Sequence, residues 1–214
     1  MEKIAFIDME GVLIPEIWKV FAIHFGVPEL SVTTREVSNY EKLMEQRINI
    51  LKKNKITLFQ LIEIIKKIDP LKDAKKFIEH LQLNGNFEIR IVSDCFYQFL
   101  HHFFEKLGLS PHKAYCHNLI VNNDGYIERV GYSRKKGKHE VIVNYQKKQS
   151  PRIQSIAIGD AFNDFSMLHL VDHGFLFQPS NEVKINAPSY FHIVQSYQEI
   201  NEYLKICSLK RKCK

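Results

Sequence analysis

The sequence predicts an α/β fold on a parallel sheet, because three short apolar runs each end in polar residues suited to chemistry. Ile4-Ala5-Phe6-Ile7 ends at Asp8, Ile89-Arg90-Ile91-Val92 ends at Ser93, and Ser155-Ile156-Ala157-Ile158 ends at Gly159-Asp160. Ligands of open α/β sheets bind in the crevice beyond the carboxyl ends of the strands. Three strands are therefore expected to deliver polar groups to one edge.

Helical sequence lies between these runs. Ile17 to Phe25 is apolar on several sides, closes at Gly26 and meets Pro28 just beyond. Apolar residues recur at helical spacing from Tyr40 to Leu51 and from Leu58 to Ile68, where Asp69-Pro70 breaks the pattern. Residues 15–70 are expected to form a compact helical insert. A helix through Ala74, Phe77, Ile78 and Leu81 then leads into the second strand, and another runs from Cys95 to Leu107, in a βαβ rhythm. Leu119 to Val121, the turn Asn123-Asp124-Gly125 and Tyr126-Ile127 read as a hairpin. Helices are expected at Val141 to Lys148 and at Phe165 to Val171. The α/β core is expected to take residues 1–14 and 71–209, leaving a frayed basic tail at 210–214.

With 214 residues, 45% hydrophobic and 25% charged, and only nine glycines and seven prolines, the composition excludes a disordered or fibrous chain. No apolar stretch approaches the roughly 18 residues of a membrane span. The start runs from Met1-Glu2-Lys3 into a short apolar segment without a basic leader, so a cytoplasmic protein with no membrane partner is expected. The net charge is +6, and Lys210, Arg211, Lys212 and Lys214 supply four of those charges, which argues against a nucleic-acid surface. Cys95, Cys116, Cys207 and Cys213 show no CxxC spacing, so reduced thiols are expected.

Asp8-Met9-Glu10-Gly11 sets two acids two residues apart at a strand end, followed by a glycine that lets backbone N–H groups approach an anion. This suits phosphoryl transfer: one carboxylate attacks phosphorus while the other protonates the leaving oxygen and then activates water. By itself the pair could equally be a turn or capping feature. Gly159-Asp160-Ala161-Phe162-Asn163-Asp164 adds two acids of the kind Mg²⁺ takes as ligands. Converging carboxylates need a cation to offset them, and Lys138 opens the helix that leads to the Asp160 strand. Ser93 can offer a hydroxyl and a backbone N–H to a phosphate oxygen. Taken singly, Ser93 reads as a helix N-cap and Lys138 as one solvated cation among Arg134, Lys135 and Lys136.

The segments FIDMEGVL, IVSDC, KHEVI and GDAFND, in this order, resemble the four motifs of the haloacid dehalogenase superfamily of phosphotransferases. The resemblance implies a Rossmann-like parallel core with an inserted helical cap and Mg²⁺ as cofactor. It implies Asp8 as nucleophile and metal ligand, and Glu10 as general acid/base whose backbone carbonyl also binds the metal. Ser93 would be a phosphate ligand and Lys138 the neutralising lysine, with Lys136 as the alternative. Asp160 would be a metal ligand, and Asp164 either a further ligand or support for one. Gly11 and Asn163 join the phosphate-binding set. MEGVLIPEIW, QRINIL and VSDCFY are similar to a bacterial subgroup of phosphoserine phosphatases that also transfer the phosphoryl group to homoserine, and a homodimer comes with that likeness. In that subgroup Glu16 would face the substrate amine and Arg47 its carboxylate.

Arg47 also stands out without the resemblance. Tyr40, Leu43, Met44, Arg47, Ile50 and Leu51 share one helix face, so a guanidinium lies within an apolar stripe. Such burial is costly without an anion. The anion could be a structural carboxylate or that of a substrate, and Glu16 could be only a first-turn helix acid. Asp94 and Cys95 stand where many relatives have two glycines, which weakens the phosphoserine assignment, although the subgroup also carries an acid there. His117 is a candidate substrate contact. Two other readings stay open: another small phosphomonoester, such as phosphocholine, a sugar phosphate or a methionine-salvage intermediate, or a basic module binding nucleic acid or protein.

Overall fold

The computed structural model describes residues 2–33, 37, 39–148 and 153–212. The chain opens with strand β1 (Lys3–Ile7), followed by helices α1 (Ile17–Phe25), α2 (Tyr40–Lys53), α3 (Leu58–Ile65) and α4 (Ala74–Leu83). Strand β2 (Phe87–Phe96), helix α5 (Tyr97–Leu107), and strands β3 (Ala114–Val121) and β4 (Ile127–Gly131) come next, then α6 (His139–Gln146) and β5 (Gln154–Gly159). Helix α7 (Phe165–Leu168), β6 (His173–Phe177), α8 (Asn181–Asn186), β7 (His192–Val194) and α9 (Tyr197–Lys212) complete it.

The strands form one sheet in the order β4-β3-β2-β1-β5-β6-β7, parallel except for the β3–β4 hairpin. Strand β1 alternates between two apolar clusters: Ala5 and Ile7 join one, Ile4 and Phe6 the other, as a strand covered on both faces must. Ile7 is level with Ile91 of β2 on one side and Ile158 of β5 on the other. Asp8, Ser93 and Asp160 therefore leave the same edge, where the strand order reverses direction.

Residues 15–70 do not build a core of their own. Phe21, Met44 and Leu61 belong to the same hydrophobic cluster as Phe96 and Phe99, and Trp18 and Phe21 pack edge-on against Phe99. Backbone bonds from Leu71 N–H to the Leu13 carbonyl and from Leu58 N–H to the Gly125 carbonyl, both 2.9 Å, tie the insert to its surroundings. Asn39 caps α2, and Thr57 with Gln60 forms a capping box on α3.

Several boundaries differ from the sequence expectation. β2 continues through Phe96 because Phe96 pairs with His117 after an irregularity in register, so α5 starts at Tyr97 rather than Cys95. Helix α3 stops at Ile65 and α7 at Leu168. β6, α8, β7 and α9 went unread, although His173–Phe177 is again a short apolar run. The tail expected to fray from 210 is a correction: α9 continues through Lys212, since no glycine or proline follows Pro188 to break it. Residues 213–214 lie outside the described residues. Among those described, no helix is long and apolar enough to cross a membrane.

Candidate active site

The end of β1 places Asp8 at the floor of a pocket of about 590 Å³. Its Oδ1 accepts the Met9 N–H at 2.7 Å, and Oδ2 meets Lys138 Nζ at 2.9 Å. Lys138 is 1% exposed at the start of α6, and its ammonium also donates to Asp164 Oδ1 at 2.6 Å. Burial works against a charged lysine, but Asp164 and Asp8 outweigh it and hold its pKa above the ordinary range. Lys136, the alternative, is exposed, and its backbone N–H bonds Glu140.

Asp164 has both oxygens engaged: Oδ2 accepts the N–H groups of Asp160 at 2.9 Å and Ala161 at 3.1 Å. It is fully buried, and a Cβ on Gly159 would overlap its side chain, so glycine is required there. This arrangement makes Asp164 a support for Lys138 and for the Asp160 loop. Asp160 points at Gly11, whose φ of +76° favours glycine and whose missing Cβ leaves room for that carboxylate. Gly11 differs from its expected role, because its N–H bonds the Ile14 carbonyl at 2.9 Å instead of facing an anion.

Asp8, Asp160 and Asp164 bring carboxylate oxygens within 4.8 Å of one another. Burial pushes Asp8 up to about 6, with Asp164 adding to the rise and Lys138 opposing it. Burial, then Asp164 and Asp8, push Asp160 up to about 9. Hard oxygen donors that repel one another in this way fit a divalent cation such as Mg²⁺, with Asp8 and Asp160, which line the pocket, better placed to reach it than Asp164, which is fully buried beneath them.

Glu10 accepts the Ile17 N–H at 2.8 Å where α1 begins. Burial, then the neighbouring Glu16 charge, raise its pKa to about 7, which suits a group that gives up and regains a proton near neutrality. Glu16 is half-buried in the same pocket. Arg47 is buried in the pocket wall, its guanidinium 4.5 Å from the Trp18 ring centre, with Nη2 donating to the Val32 carbonyl at 2.7 Å and Nη1 3.7 Å from Met44 sulfur. Its Nε has no hydrogen-bond partner, and no carboxylate of the described residues pairs with it. Ser93 is buried, and its hydroxyl accepts the Cys95 N–H at 3.3 Å. Burial, with Glu10 beside it, pushes the Cys95 thiol up, which removes it as a rival nucleophile.

Sequence reasoning missed the surroundings of Asp94. Its carboxylate lines the pocket and binds Arg134, Asn163 Nδ2 at 2.8 Å and, more distantly, His117 Nε2 at 3.6 Å. Burial would raise its pKa, but Lys138, His117, Arg134 and Asn163 together hold it far below the carboxylate range. Arg134 had looked like a solvated cation and is buried. His117 lies behind Asp94, its Nδ1 accepting the Ser133 N–H at 3.2 Å. Tyr40, the first residue of α2, donates its phenol to the Asp94 carbonyl at 2.6 Å. The only signal for this group was Asp94 itself, in a position next to a phosphate ligand.

No protein-family model matches the chain. It is 34% identical over 209 residues to the phosphoserine phosphatase ThrH of Pseudomonas aeruginosa, across 96% of this chain and 97% of that protein. It is 33% identical over 204 residues to a phosphoserine phosphatase of Pseudomonas syringae pv. tomato, across 95% of this chain and 83% of that one. A solved structure of a phospho-aspartyl intermediate analogue of phosphoserine phosphatase shares its fold, with a TM-score of 0.76 at 22% identity over 94% of this chain and 98% of the other. The chain therefore belongs to the phosphoserine phosphatase family of haloacid dehalogenase-fold phosphatases.

Proposed function

We propose that this protein hydrolyses L-phosphoserine through an aspartyl-phosphate on Asp8 and also transfers the phosphoryl group to homoserine. The observation that carries the substrate is Arg47: a buried planar fork with an unpartnered Nε faces the pocket that holds Asp8. A ligand carrying both a phosphate and a carboxylate meets both ends. Glu16, half-buried in the same pocket, takes the amine in this reading.

In this reading Asp8 attacks phosphorus, forming the O–P bond as the serine oxygen leaves with the proton of Glu10. Glu10, raised to about 7, then takes a proton from water, or from the homoserine hydroxyl, as that oxygen displaces Asp8. Lys138 and Ser93 stabilise the charge on the transferring group, and Asn163 stands beside it. Asp8, Asp160 and the Glu10 carbonyl would hold Mg²⁺, which when bound offsets phosphoryl charge, with Asp164 as support. The cytoplasmic location and the homodimer belong to the same proposal, as does the division into core (1–14, 71–209) and cap (15–70).

The test is phosphate release from L-phosphoserine with Mg²⁺, with homoserine or glycerol added. Asp8→Asn is expected to abolish turnover. Arg47→Ala is expected to lower kcat/KM about a hundredfold more on phosphoserine than on p-nitrophenyl phosphate. Phosphohomoserine should appear with homoserine, and glycerol should give far less phosphoester. Equal losses on both substrates for Arg47→Ala would sink the carboxylate assignment.

A further inference from the structure

Asp94 stands in the pocket wall next to Ser93, where a bare negative charge would repel the phosphate dianion the site must accept. Arg134 answers it from the loop between β4 and α6. The residue is buried, and its guanidinium donates to the Ser93 carbonyl at 2.7 Å and the Tyr115 carbonyl at 3.0 Å and pairs with Asp94 Oδ1. Asp94 Oδ2 takes the Asn163 amide at 2.8 Å. Four chain segments meet in this one group: the end of β2 with Ser93, β3 with Tyr115, the loop before α6 with Lys138, and the loop after β5 with Asp160, Asn163 and Asp164.

We propose that Arg134 and Asp94 are a pair of positioning residues that hold Ser93, Lys138 and Asn163 in mutual register while Arg134 cancels the Asp94 charge at the phosphate subsite. The inference deepens the phosphatase reading and rests on it. Arg134 reaches the Tyr115 carbonyl with one nitrogen and the Ser93 carbonyl and Asp94 with another, a fixed spacing that the single ammonium of lysine reproduces poorly. Because the brace acts on the phosphoryl group, its loss lowers turnover whatever the leaving group, in contrast to the substrate-selective effect of Arg47.

The experiment compares Arg134→Gln, Asp94→Asn and the double variant with the wild type, measuring kcat and KM on L-phosphoserine and on p-nitrophenyl phosphate with Mg²⁺, below each variant's unfolding temperature. Arg134→Gln is expected to lower kcat by about tenfold to a hundredfold, by similar factors on both substrates. The double variant, with no bare carboxylate at the subsite, is expected to be about threefold faster than Arg134→Gln alone. A merely structural pair would lower Tm and leave the kcat of the folded protein in place, and that result overturns the proposal. So does a double variant slower than the single one. If Arg134→Gln does not fold, Arg134→Lys decides: a folded variant with kcat reduced about tenfold supports the brace, and wild-type kcat overturns it. If wild type turns over only p-nitrophenyl phosphate, the phosphoserine reading fails while the p-nitrophenyl phosphate arm still judges the pair. Wild type inert on both substrates overturns both readings.

Discussion

At the floor of the pocket, Lys138 lies between Asp8 and Asp164 at 2.9 and 2.6 Å, while on the cap side Arg47 is nearly as buried and meets a carbonyl, a thioether and an indole face. On the floor the ammonium has carboxylate partners from the chain itself, so its position is set by the fold. The cap wall presents a cation whose carboxylate partner is not among the described residues. In the proposed reading the difference separates chemistry from recognition: the floor acts on any phosphoryl group, and the wall chooses which molecule carries it.

Removing the cation of the floor is the harshest way to break this contrast. Lys138→Gln leaves Asp8 and Asp164 buried against each other without an ammonium, and is expected to cost about 3–5 kcal/mol along with essentially all turnover. Urea unfolding and phosphate release measure the two losses, and a variant of normal stability would show that the floor does not depend on its own pairing. A smaller effect follows from pH. Asp8, Glu10 and Asp160 have pKa values raised from 3.8, 4.5 and 3.8 to about 6, 7 and 9. A carboxylate whose pKa is raised by folding holds its proton more tightly in the fold than in the unfolded chain. Its contribution to stability is therefore present below about pH 4 and is lost as pH rises through the folded value. The metal-free protein should lose stability between about pH 4 and 9. Saturating Mg²⁺, taking the place of those protons, is expected to raise Tm by about 5–10 °C at pH 8.5 and by much less at pH 5. An equal gain at both pH values would separate metal binding from these acids.

The sequence made the floor more legible than the wall, for reasons of chain geometry. Strand ends are local: an apolar run followed by an acid places Asp8 and Asp160 at the crevice, whatever happens elsewhere. Helical spacing likewise marked Arg47 as a guanidinium in an apolar stripe. Gly11 was misread because its reason is distant in sequence: the Asp160 carboxylate occupies the space of its Cβ. The same holds for Arg134, which contacts Ser93 and Asp94 across 41 and 40 residues, and no local pattern separates it from its solvated neighbours Lys135 and Lys136. β7 went unread because its three residues, His192–Val194, are too short to show a period.

A hydrogen bond from the helix of Arg47 to the strand end of Ser93 also joins the two regions, and it gives the smallest and most selective effect. The phenol of Tyr40, at the start of the helix that carries Arg47, donates to the Asp94 carbonyl next to Ser93. Seven residues span about two helical turns, so Tyr40 and Arg47 share a face, and a fixed Tyr40 sets where the Arg47 fork lies above the floor. The ring of Tyr40 also packs against His117 and Tyr132, at centroid distances of 6.3 and 6.4 Å, and phenylalanine preserves that packing. Tyr40→Phe therefore removes one neutral hydrogen bond, worth about 0.5–1.5 kcal/mol, and is expected to lower kcat/KM for phosphoserine about three- to tenfold. The loss should fall on KM more than on kcat and should be smaller for p-nitrophenyl phosphate, which carries no carboxylate for Arg47. A loss confined to kcat and equal on both substrates would mean that Tyr40 acts on the floor, through Asp94 and Ser93, and that the cap is positioned by its apolar contacts alone.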